Sequence, residues 1–154
     1  MIRARVETPL GTVLVTADCD MLTELRFADA PAAEEPADSP VVSETVRWLA
    51  LYFSGRDPGD IPKLAPAKTP FQNAVREALL SVPYGKTVSY DALAKRLHSS
   101  PRAIGQAVGK NPILLIVPCH RVIGKNGGLA GYAGGLERKA ALLELERRGM
   151  DGHA

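Results

Sequence analysis

The side chains with the clearest capacity for covalent chemistry lie in IVPCHRVIG, residues 116–124, where a cysteine directly precedes a histidine at the end of an apolar run. A thiol becomes a nucleophile as its thiolate, which is populated at neutral pH only beside a base or a cation. His120 can serve Cys119 in that way directly or through one water, and a third group would then orient the imidazole as in any triad. The competing reading is a buried structural cysteine, the commoner fate of a lone Cys.

Glu146 is the candidate third group, four residues after Leu142 and three after Leu143, on or beside the apolar face of the last helical segment. A buried carboxylate is costly unless hydrogen-bonded. Spacing alone favours a helix-edge glutamate paired with Lys139 or Arg147. Glycines 124, 127, 128, 131, 134 and 135 form no phosphate-binding fingerprint; they suit a loop folded close to a ligand, with Tyr132 in its middle. His98, His153 and Cys19 do not cluster at ligand spacing, so no metal site is expected.

These groups must be positioned by two unlike halves. The first reads as an antiparallel meander with strands at Arg3–Glu7, Thr12–Thr16 and Leu22–Phe27, broken by TPLG and ADCD. An Ala/Pro/Glu-rich loop from Ala30 to Pro40 follows. VVSETVRWLALYFSG then predicts a helix with Val42, Val46, Leu49 and Phe53 on one face. The proline-rich RDPGDIPKLAPAK marks a boundary between residues 1–65 and 66–154.

The second half predicts mostly helix. Thr69, Pro70 and Gln72 make a capping box for a helix with a Phe71, Val75, Ala78, Leu79, Val82 stripe. Two short helices follow, capped by Ser89 and Ser100, in an arrangement resembling a helix-turn-helix. PILLIV predicts a strand or extended run. LERKAALLELERRG predicts an amphipathic helix stopped by Gly149.

With 154 residues, the chain makes one domain or two small ones. It has no apolar run near the ~20 residues of a membrane span, and MIRARVETPLG carries no signal-peptide core, so a cytoplasmic protein with free thiols and no membrane partner is expected. Residues 1–83 hold 8 Lys/Arg against 12 Asp/Glu, a charge of −4, and residues 84–154 hold 11 against 5, a charge of +6. The basic half suits either a polyanion partner or a solvated face.

NPILLIVPCHRVIG and GYAGGLERKAALLELE, with PYGKTVSY and RAIGQAVGKNP before them, resemble the O6-alkylguanine-DNA alkyltransferase family, also called methylated-DNA–protein-cysteine methyltransferases. The likeness covers residues 71–146 and agrees in element order with the meander. It implies an α/β fold, with an N-terminal ribonuclease-H-like sheet joined to a helical C-terminal domain that carries the helix-turn-helix. It implies repair of duplex DNA containing O6-alkylguanine, with O4-alkylthymine as a second substrate. The base is flipped out, and the alkyl group is transferred irreversibly to the protein's own cysteine without a cofactor. A monomer is implied, with cooperative binding along DNA left open.

Carried over by position, the resemblance makes Cys119 the acceptor, His120 its base through a water, and Glu146 the orienter of His120. Asn111 would tie the recognition helix to the active-site turn. Tyr90 would steer the target phosphate and donate toward guanine N3. Arg102 would fill the gap left by the flipped base, Ala103 and Gly105 would permit close groove approach, and Lys110 would contact DNA. Val122 and Cys119 would offer carbonyls to the guanine amine, and Tyr132 and Ala133 would line the pocket. Ala133 stands where some members carry a hydroxyl residue. Two other functions remain to be separated: a non-catalytic binder of alkylated DNA, against which Cys119 itself speaks, and a cysteine hydrolase, which lacks an evident oxyanion-hole motif.

Overall fold

A computed structural model of the chain describes residues 1–28, 39–129 and 131–152. Strands β1 (Ile2–Thr8), β2 (Gly11–Asp18) and β3 (Met21–Phe27) form an antiparallel sheet in that order. Gly11, at φ +124°, makes the first hairpin, and a register irregularity falls between Thr16 and Ala17. Helix α1 (Pro40–Phe53) packs against all three strands, starting at Ser39, whose hydroxyl accepts from the Val42 N–H. The sequence-predicted loop at Ala30–Pro40 lies outside the described residues except for Ser39 and Pro40, which open this helix.

Helix α2 (Pro70–Leu80), α3 (Tyr90–Arg96) and α4 (Pro101–Gly109) begin at Thr69, Ser89 and Ser100, each accepting a hydrogen bond from the backbone N–H three residues on. Such caps satisfy donors that a helix start otherwise leaves orphaned. α3 and α4 pack together and α4 packs on α2, giving the helix-turn-helix, with His98 at φ +53° in the turn. Strands β4 (Val88–Ser89) and β5 (Val122–Ile123) form a two-residue parallel ladder that brings the start of α3 beside the cysteine turn. Helix α5 (Leu136–Gly152) closes the chain.

One hydrophobic core runs through both halves, from Val13, Val15 and Leu25 of the sheet through Trp48 and Leu49 to Ile104, Ile113 and Leu142. The outer edge of β3 is covered twice. Leu22 exchanges backbone hydrogen bonds with Lys63 and Ala65, and Leu25 does so with Pro112 and Leu114. An edge left open would present unpaired backbone groups.

Four sequence expectations change. Val46 and Phe71 are exposed. The buried face of α1 runs instead through Val41, Val42, Thr45, Trp48, Leu49 and Tyr52. PILLIV is no strand: after one bridge at Ile113 it folds into tight turns, with Leu115 at φ +70°. Gly149 does not stop α5, which runs on to Gly152. Gly149 serves packing, because a Cβ there would collide with Tyr84 Oη and the Gly55 carbonyl.

Candidate active site

The turn that carries the cysteine is shaped by one side chain. Asn111 Nδ2 donates to the carbonyls of Ile113 (3.1 Å) and Val117 (3.3 Å), and its Oδ1 accepts from the Ile113 N–H (3.1 Å). Both ends of the apolar run are thereby pinned, which is why β-prone residues curl. The run delivers Cys119 into a 3₁₀ turn, Cys119–Arg121, with the thiol 3% exposed. Burial pushes that thiol up to about 11, against the lowering effects of the nearby Asn111 amide, the Lys139 ammonium and the cysteine's own backbone. At neutral pH the resting group is the thiol, so nucleophilic attack needs a base.

His120 is fully buried, and its Nε2 lies 2.5 Å from Glu146 Oε2. Glu146 comes from α5 at 1% exposure and is held by four donors. Oε2 faces His120 and accepts from Tyr52 Oη at 2.6 Å, while Oε1 accepts from Arg121 Nε at 2.8 Å and Gly85 N–H at 3.0 Å. Burial would raise this carboxyl, but the hydrogen bonds from His120 and Arg121, with the Arg121 charge, bring it down to about 2. Burial lowers the pKa of His120, outweighing the opposing pull of Glu146, and keeps the imidazole neutral. An ionised carboxylate only accepts, so Nε2 carries the imidazole hydrogen and Nδ1 is the basic nitrogen. Nδ1 is buried with no hydrogen-bond partner among the described residues. The helix-edge pairing that spacing favoured for Glu146 is therefore corrected. Arg147 pairs with Glu144 and Asp151, and Lys139 donates to the Gly131 carbonyl at 3.0 Å.

The remaining sequence-predicted residues fall into two groups. Around the cysteine, Tyr90 is half-buried at the start of α3, and its phenol is raised by burial and then by the charge of Cys119. Tyr132 sets its ring 6.4 Å from that of His120 at 78°, with its hydroxyl buried and unpartnered among the described residues. Val122 is fully buried in β5, and its N–H already occupies one lone pair of the Cys119 carbonyl. Ala133 is exposed in the glycine loop. On α4, Arg102 is exposed and Ala103 and Gly105 are half-buried, and Lys110, which caps the helix end, is exposed. A Cβ on Gly105 would come 3.9 Å from the Tyr90 ring, an ordinary van der Waals contact, so packing against the site does not itself demand a glycine there.

Sequence reasoning missed Tyr52, Gly85, Arg121 and Lys139. Tyr52 lies three residues after Leu49, so helical periodicity places it on the buried face. Gly85, at φ +79°, and Arg121 sit inside the quoted PYGK and PCHRV stretches. Lys139 precedes Glu146 by two helical turns and shares its face, with a buried side chain.

Two family models match the chain: the ribonuclease-like domain of 6-O-methylguanine DNA methyltransferase over residues 1–61, and its DNA binding domain over residues 70–148. The methylated-DNA–protein-cysteine methyltransferase of Methanosarcina acetivorans is 42% identical over 153 residues, spanning 95% of this chain and 98% of that protein. The Mycobacterium leprae protein of the same name is 40% identical, spanning 96% and 93%. Among solved structures, Mycobacterium tuberculosis OGT in complex with DNA matches with a TM-score of 0.82 at 39% identity, over 94% of this chain and 92% of that one. An O6-methylguanine DNA methyltransferase from Methanococcus jannaschii gives 0.70 at 29%, over 94% and 93%. Both domain models match in order, and relatives align over nearly the full length; the chain belongs to the 6-O-methylguanine DNA methyltransferase family.

Proposed function

We propose that this protein repairs DNA by moving the alkyl group of O6-alkylguanine in a duplex onto its own Cys119, once per molecule. The observation that carries the reading is a buried thiol beside an imidazole–carboxylate pair in a chain of this family. The thiol proton passes to His120 Nδ1, directly or through one water. The sulfur attacks the alkyl carbon as the C–O6 bond breaks, and the electron pair leaves with the guanine. A hydrogen bond from Tyr90 toward guanine N3 limits the charge that builds on the leaving group. Glu146 holds the imidazole while it is charged, and Asn111 holds the turn that aims the sulfur. The resulting thioether has no facile route back to a thiol, so the protein is consumed.

DNA is met by α4. Arg102 enters the stack in place of the extruded base and offsets an unstacking cost of a few kcal/mol. Ala103 and Gly105 allow close approach, and Lys110 faces phosphate. Tyr132 and Ala133 border the base pocket, with the Cys119 and Val122 carbonyls toward the guanine amine.

The test is intact mass after mixing with duplex DNA containing O6-methylguanine, followed by peptide mapping. The expected result is a gain of one methyl per chain on Cys119, lost in Cys119→Ser and kept in Cys19→Ser. Binding without a mass change would instead make the protein a non-catalytic reader of the lesion. Multiple turnovers on an ester would make it a hydrolase.

A further inference from the structure

The imidazole–carboxylate pair is completed from the other half of the molecule. Tyr52, in the last turn of α1, is fully buried, and its hydroxyl reaches Glu146 Oε2 at 2.6 Å and lies 3.3 Å from His120 Nε2. Its ring is fixed on several sides. It stacks on Trp48 at 5.3 Å and 7°, and it meets the rings of Phe53, Tyr84 and His120 edge-on. Such a ring has no freedom to turn its hydroxyl elsewhere.

We propose that Tyr52 is a positioning residue for alkyl transfer: its hydroxyl fixes the Glu146 carboxylate and the tautomer of His120, so the N-terminal half supplies part of the machinery that acts on Cys119. The inference rests on the alkyl-transfer reading above. Its chemistry follows from donors and acceptors. The phenolic hydrogen is committed to Oε2, which leaves the oxygen lone pairs facing Nε2. Nε2 therefore meets two acceptors, Oε2 and Oη, and must carry a hydrogen, which frees Nδ1 to take the thiol proton. The second donor at Oε2 also moderates the carboxylate. With His120 as its only donor there, Oε2 would be more basic and would hold the imidazole in its charged form, which cannot accept a proton. Burial and the Glu146 charge raise the phenol's pKa, so the donor persists across the working pH range. The other charged or titratable groups near this pair among the described residues are Arg121, which donates to Oε1, Lys139 on α5, Tyr84, Tyr132 and Cys119.

The experiment measures the second-order rate of reaction with free O6-benzylguanine against pH for the wild type, Tyr52→Phe and protein carrying 3,5-difluorotyrosine at position 52. The phenylalanine keeps the aromatic packing and removes the donor. Its rate at neutral pH should fall about ten-fold, the scale of losing a partner that orients a functional imidazole, and its acid limb should move to higher pH by about half a unit or more. The fluorinated phenol is a stronger donor of nearly the same shape and should move the limb to lower pH. A purely structural role shifts neither limb. Wild-type limbs in both proteins would overturn the proposal, and the fluorinated protein decides the matter even if Tyr52→Phe folds poorly. A wild type that takes up no benzyl group would instead sink the alkyl-transfer reading itself.

Discussion

Glu146 sits almost out of water among Tyr52, Gly85, His120 and Arg121, and its charge is what two of those neighbours are arranged around. Glu146→Gln keeps the shape and leaves the Arg121 guanidinium facing a neutral amide. Breaking a buried pair from one side costs about 3–5 kcal/mol, which in a chain of this size lowers Tm by roughly 6–20 °C. Calorimetry at pH 7 measures it, and a change within a degree or two would mean that water replaces the carboxylate. The pH dependence has a definite sign. The folded carboxyl lies at about 2, below the ~4.3 of an unfolded glutamate. Its stabilisation is therefore full above the unfolded value and is lost as pH falls toward 2, so the Tm gap between wild type and variant should close over that interval. At this scale the sequence made the cysteine–histidine pair legible and little else. Glu146 gained its role only through the resemblance, because spacing on one helix cannot tell which buried face meets an imidazole 26 positions away. Lys139, which spacing offered as its partner, turns to the Gly131 carbonyl instead.

At the scale of elements, α4 and the turn after it divide the labour, and two substitutions separate them. Arg102 is exposed near the start of α4, and its proposed work is inside the base stack. Arg102→Ala should therefore slow repair of duplex DNA far more than reaction with free O6-benzylguanine, which needs no flipping. Asn111→Ala removes the three hydrogen bonds that curl the run from Ile113 to Val117, so it should slow both reactions alike. Measuring both rates in both variants checks the pair. Equal losses in Arg102→Ala would return that residue to the pocket or the fold, and a duplex-only loss in Asn111→Ala would move Asn111 to the DNA surface. Helix starts were readable because the sequence carries their chemistry directly: Thr69, Ser89 and Ser100 all cap as expected. PILLIV was not readable as a turn, because its β-prone composition is overruled by a side chain outside the run. Gly149 misled because a glycine needed for close packing looks the same in sequence as one that ends a helix.

For the whole molecule, the connector at residue 65 separates two segments by composition, yet the contacts join them. β3 carries residues 63–65 and 112–114 on its outer edge, α5 sends Arg138 to the Leu10 carbonyl and over the Phe27 ring at 4.3 Å, and α1 sends Tyr52 to Glu146. None of these pairings has a local sequence signal; the last spans 94 positions. The elements themselves were largely legible, and what joins them was not. Core shared in this way has a thermodynamic consequence. If the N-terminal sheet and α1 unfolded alone, Ile113 and Leu142, both fully buried, would lose their surroundings while Glu146 kept its charge and lost the Tyr52 donor. Exposing one such aliphatic side chain costs about 1.5–3 kcal/mol, and a half-unfolded state would have to expose several. The chain should therefore melt as one cooperative unit, with calorimetric and van't Hoff enthalpies equal within error. A fragment of residues 66–154 should show no sharp transition of its own. Two resolved transitions, or a fragment that melts cooperatively and still takes up a benzyl group at the full rate, would show that the halves are energetically separate and that α1 adds nothing to the chemistry of Cys119.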